Sequence, residues 1–149
     1  MAITIAIIDR VFDPEKTHLE FRRALSNSGA VVAFTGLVRS DGDVSALSLS
    51  HYPGFTEKEV GRIAQEAVTR WKLDGVHIIH RVGEMAPGEP IVFVATASAH
   101  RRQSFEAADF IMDYLKSDAP FWKKEYRGES AEWIEPRDQD YTDKDRWRA

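Results

Sequence analysis

Two groups of basic side chains stand out in this chain. One is "AHRR", residues 99–102, where His100, Arg101 and Arg102 follow a β-rich run. The other lies in "YLKSDAPFWKKE", residues 114–125, where Lys116 and Lys123 stand beside Tyr114, Phe121 and Trp122 around Pro120. A third basic position, Arg39, closes "GAVVAFTGLVR". Arginine grips phosphate or carboxylate with a planar fork, and a histidine can exchange a proton near neutrality. At the first turn of a helix, backbone N–H groups favour an anion as well. Lysine stems lie along aromatic surface while their charge stays hydrated; alternatively, rigid rings hold Lys116 and Lys123 at the edge of an anion pocket. Solvent-facing arginines at a strand end are the plainer reading of the first group. If one straight helix joins the groups, its rise separates them by about 24 Å. A break in that helix, a return of residues 117–123 along a sheet, or a second copy of the chain would have to close the gap.

Other chemistries are absent from the sequence. With no cysteine there is no disulfide, no thiolate metal site and no cysteine nucleophile. Neither GxxxxGK[ST], GxGxxG nor HExxH occurs, and no serine sits in an elbow motif. The five histidines lack metal-ligand spacing, and His77 and His80 face opposite ways on a strand. Neither a metal nor a cofactor is therefore expected. A net charge of -4 argues against a nucleic-acid binder. Near the second group, Glu106, Asp109, Asp113, Asp118 and Glu125 offset the lysines, which suits a small anion better than a polyanion. The chain lacks a signal-like N-terminus and any apolar run of membrane length, so the expectation is a cytoplasmic protein with no membrane association.

The elements that must position these residues follow from periodicity. Residues 2–8, 29–39, 44–52, 75–83 and 90–98 read as strands. Residues 13–25 read as a helix capped by Asp13 with Pro14 at its first position. Residues 56–71 form the clearest helix, with Thr56 and Glu59 at capping-box spacing and an apolar face of Val60, Ile63, Ala64, Ala67, Val68 and Trp71. A further helix runs from about Arg102 to Lys116, and Pro120 bars its continuation. Asp-Gly within "SDGD", 40–43, predicts a turn and a hairpin of 30–39 with 44–51. The order implies an α+β fold with helices on a mostly antiparallel or mixed sheet. We expect one domain over 1–149 with a polar tail from about 138. That tail is read as partly extended, anchored by Trp133, Ile134 and Trp147 and packed on another subunit.

The segments "GAVVAFTGLVR", "LSHYPGFTEKEV", "VHIIHRVGEMAPGE", "ATASAHRRQSFEAADFIMDYLKSDAPFWKKE" and "WIEPR" resemble, in order, the large catalytic subunit of molybdopterin synthase, the MoaE family. The resemblance runs from about residue 29 to 137. It implies an α/β hammerhead fold and a central homodimer. Each end of that dimer would bind a small ubiquitin-like subunit with a thiocarboxylated C-terminus. The implied reaction moves sulfur from that tail to cyclic pyranopterin monophosphate, forming the molybdopterin dithiolene.

The same resemblance implies roles for individual residues. Lys116 and Lys123 match the family's catalytic lysines. Arg39, His100, Arg101 and Arg137 match its substrate-binding residues, with Arg137 reaching the pocket across the dimer; Arg102 lies outside the match. "SDGDVS" after Arg39 is shorter and more acidic than the family pattern leads one to expect. Two other hypotheses remain at this stage: a pterin- or nucleotide-binding module without turnover, and a structural dimer with ordinary basic surface.

Overall fold

Seven consecutive residues of "PIVFVATAS", Val92 to Ser98, are buried, so both faces of that strand are covered. A strand with one wet face would alternate instead. The computed structural model describes residues 2–40 and 42–148, for Ala2 the backbone alone. The elements in chain order are β1 (Ala2–Ile8), α1 (Pro14–Arg23), β2 (Ala30–Leu37), β3 (Ala46–His51), α2 (Phe55–Trp71) and β4 (Gly75–Arg81). They continue as β5 (Gly83–Met85), β6 (Pro90–Ser98), α3 (Arg101–Ser117), β7 (Phe121–Arg127), β8 (Ser130–Ile134) and α4 (Asp138–Asp145).

Two four-stranded sheets result, ordered β1-β4-β6-β2 and β5-β3-β7-β8. The first is mixed, since β1 runs parallel to β4 while β4–β6 and β6–β2 are antiparallel. The second is antiparallel throughout. On one face of the first sheet, Ile79, Phe93 and Ala95 pack with Phe12 and Phe21 of the α1 region. On the other, Val76, Ile78, Val92 and Val94 meet Val60, Ile63 and Ala67 of α2 and Ala107, Phe110 and Ile111 of α3. This is the expected α+β class in a hammerhead-like form.

Four expectations are corrected. The hairpin of 30–39 with 44–51 does not form: β2 pairs β6, whereas β3 pairs β5 and β7 in the other sheet. Its turn contains Asp41, which lies outside the described residues. The second correction concerns the start of α2. There the Gly54 N–H donates to Glu57 Oε1 at 3.0 Å, with Gly54 as N-cap at φ 86°. Thr56 is fully buried and does other work. Its hydroxyl accepts from Tyr52 N at 2.8 Å and donates to Pro120 O at 3.1 Å, tying α2 to the chain just before β7.

The third correction is the tail. It supplies β8 and then α4, and α4 packs on α3 of its own chain. Trp147 meets Trp71 and Phe110 edge-on at 5.5 and 5.7 Å, and its indole N–H donates to Asp113. The strand expected over 75–83 also divides. Gly83, at φ 84°, lets the chain leave β4 and enter the second sheet as β5.

Candidate active site

The helix α3 is unbroken from Arg101 to Ser117, so its two ends stay about 24 Å apart. At its start, His100 is the N-cap in extended conformation, and no acidic residue follows in the first turn. His100 and Arg101 are exposed there. Ser98 Oγ donates to His100 O at 2.7 Å and holds the strand-to-helix corner. A groove of about 330 Å³ opens near this corner, lined by Arg22, Leu25, Ser28, Gly29 and Val31. It does not touch the lysines.

At the other end, Asp118 N and Ala119 N donate to Tyr114 O and finish α3. Pro120 then forces an exit, and β7 pairs with β3 so that Phe121 faces His51 and Lys123 faces Leu49. Alternation puts Phe121 and Lys123 on one face of β7, and Trp122, Lys124 and Tyr126 on the other. The aromatic contacts of this stretch therefore fall on different residues than its sequence implies. Lys124 lies over Tyr126 and Trp133, 5.7 and 5.1 Å from their centroids. Phe121 is covered by His80, stacked at 3.9 Å and 17°.

Lys116, Lys123 and Arg137 converge at this end of α3. The Lys116 pKa is lowered, first by burial and then by the positive charge of Lys123; Asp140 opposes the change and Arg137 adds to it. The residue as a whole remains open to solvent. The lowering thus reflects surrounding protein mass and positive neighbours rather than sealing from water. Arg137 caps α4, where Asp140 accepts from its backbone N–H at 3.0 Å and from its Nη2 at 3.3 Å. Lys144 Nζ meets Asp118 Oδ1 at 2.7 Å and fastens α4 to the end of α3. Arg137 therefore lies close enough to Lys116 of its own chain to act on its charge.

Arg39 lies just beyond β2, whose last pairing is Leu37 with Pro90 at the start of β6. Since α3 runs back along β6, this is the Lys116 end of the sheet. Val38 anchors the approach: its N–H donates to Glu89 O at 2.9 Å, and its carbonyl accepts from Gly88 N at 2.7 Å. In the acidic loop that follows, Asp43 pairs with Arg127 of β7 at 2.9 Å. One chain thus gathers Lys116, Lys123 and Arg137, directs Arg39 to the same end, and leaves His100 and Arg101 at the far end.

Sequence reasoning missed His80 and Asp140. His80 is 8% exposed, and its pKa is lowered to about 4, chiefly by burial and further by Lys116, against a raising hydrogen bond with Arg81 O. Its position beside Arg81 at a strand end was the available signal. His77 faces the other way, toward Phe21 and Phe93. Among the described residues, no group of three or more His, Asp or Glu could hold a metal ion, and no helix is long and apolar enough to cross a membrane.

Comparison with known proteins follows the same lines. The family model described as MoaE protein matches residues 7–118. The molybdopterin synthase catalytic subunit of Caulobacter vibrioides is 54% identical over 144 residues, covering 96% of each chain. Among solved structures, the molybdopterin biosynthesis MoaE protein from Burkholderia ambifaria superimposes with a TM-score of 0.86 at 42% identity, covering 100% of this chain and 99% of that one. A chain from the complex of subunits 1 and 2 of the molybdopterin-converting factor from Helicobacter pylori shares the fold, with a TM-score of 0.78 at 18% identity over 89% of this chain and 91% of that one.

Proposed function

The chain belongs to the MoaE family and is the large, catalytic subunit of molybdopterin synthase, a sulfurtransferase of molybdenum cofactor biosynthesis; from that premise we propose how its basic residues divide the work. The sulfur comes from outside, because the chain has no cysteine to carry it. Its donor is the thiocarboxylated C-terminus of a small ubiquitin-like subunit, and its acceptor is cyclic pyranopterin monophosphate. Two large subunits form a central dimer with one small subunit at each end.

Lys116 is the central catalytic group. As each sulfur leaves the terminal carbonyl carbon of the small subunit, negative charge develops, and an ammonium held in place stabilises it. The lowered Lys116 pKa also makes its ammonium a readier proton donor than an ordinary lysine. Lys123 orients the partner's terminal carboxyl group. Arg39, His100, Arg101 and Arg137 hold the phosphate and the polar pterin edge through charge-assisted hydrogen bonds. A second copy contributes His100 and Arg101, because the unbroken α3 keeps them from the lysines of their own chain.

The convergence of Lys116, Lys123 and Arg137 where α3, β7 and α4 meet carries this reading. Its test is mass-resolved sulfur incorporation into cyclic pyranopterin monophosphate with thiocarboxylated small subunit. We expect a product gaining two sulfurs, and a collapse of turnover in Lys116→Ala while the dimer persists. Unchanged turnover in that variant would overturn the lysine assignment.

A further inference from the structure

Next to the two lysines stands a histidine to which the sulfur-transfer reading gives no task. His80 is the penultimate residue of β4, on the sheet face that meets α2 and α3. Its Nδ1 lies 2.9 Å from Arg81 O. A carbonyl only accepts, so Nδ1 carries the proton and the lone pair of the neutral ring resides on Nε2. The ring lies flat on Phe121, with centroids 3.9 Å apart. Phe121 opens β7, and Lys123 follows two residues later on the same strand face. Pro120 O, just before, is pinned by the buried Thr56 hydroxyl. Phe121 is thus held from two sides, and His80 is the side that also faces Lys116.

We propose that His80 is a positioning residue for sulfur transfer: its neutral ring braces Phe121, and through Phe121 it sets Lys123 against Lys116 without adding charge to the pair. The inference rests on Lys116 and Lys123 being the working lysines. The charged groups around Lys116 are Lys123 from β7, with Arg137 and Asp140 from α4. A protonated His80 would add a further cation from β4. Its burial keeps the ring neutral across the working range.

Two substitutions separate the brace from ordinary core filling. His80→Phe keeps a ring to stack, whereas His80→Gln removes it. Both are measured in sulfur transfer with thiocarboxylated small subunit across a range of pH, alongside wild type and Lys116→Ala, after circular dichroism shows that each is folded. For His80→Gln we expect kcat to fall ~10-fold with KM for the precursor nearly unchanged. We also expect the pH-profile limb belonging to Lys116 to move upward, because loss of the ring thins the protein packed around the lysine and lowers its desolvation. His80→Phe should recover most of kcat. A His80→Gln profile superimposable on wild type overturns the proposal. So does an equal loss in both variants with no movement of the limb. Turnover retained by Lys116→Ala would remove the lysine premise itself, a result distinct from either.

Discussion

The neutral state of His80 links folding to pH. Its pKa falls from 6.5 to about 4 on folding. Between those values the unfolded chain binds a proton that the folded chain refuses. The stability His80 contributes is therefore complete above 6.5 and is lost as pH falls toward 4. Between pH 7 and pH 5 the loss is about 2 kcal/mol. Urea unfolding of wild type and His80→Phe at both pH values isolates this term, because the other titrating groups are common to both. We expect wild type to lose about 2 kcal/mol more than the variant; parallel losses would refute the assignment. Residue reasoning singled out Lys116 and Lys123 because a cation's type announces its chemistry, and the family resemblance added Arg137. It passed over His80, whose role comes from a ring stacked on a residue 41 positions later. Sequence spacing carries no trace of that contact.

At the scale of elements, legibility followed the origin of each pattern. The helices α2 and α3 bury one regular face each, and β4 and β6 are nearly continuous runs of buried residues, so these patterns show locally. The strand β3 buries Leu47 and Leu49 but leaves Ser48 half-buried and Ser50 exposed, and its partners are distant in sequence. A local Asp-Gly turn was therefore a poor guide to its pairing. The strand β7 was hidden by its lysines, and α4 buries no residue. What holds α4 is Lys144 on Asp118, together with Arg146 and Trp147 on Asp113, contacts that no helical period encodes.

The corner that presents His100 offers a test at the same scale. A Cβ on Gly29 would lie 2.2 Å from Ala99 O, and that backbone atom cannot swing aside. Gly29 N also donates to Ser98 O at 3.0 Å, joining the start of β2 to the end of β6. Gly29→Ala must part these strands and shift the start of α3. We expect a loss of about 1–3 kcal/mol in urea unfolding. KM for the precursor should rise more than kcat falls if His100 and Arg101 have the binding role proposed for them. Wild-type stability in this variant would show that the corner yields without moving the helix.

For the whole molecule, α3 acts as a ruler. It is continuous, and it puts His100 and Arg101 at the opposite end from Lys116, the proposed catalytic lysine. In a two-fold dimer, an isologous interface can bring the start of each α3 to the finish of the other, and two equivalent sites form. Complementation tests this directly. Neither Lys116→Ala nor Arg101→Ala should turn over alone. In a mixed dimer, one site combines the intact lysine of one chain with the intact arginine of the other, while the second site carries both lesions. Random exchange of equal amounts makes half the dimers mixed, so activity should recover to about a quarter of wild type. If each site were built within a single chain, every site in the mixture would carry one lesion and nothing would recover. Recovery that follows the fraction of mixed dimers, counted by native mass spectrometry, would place Lys116 and Arg101 of different chains in one site.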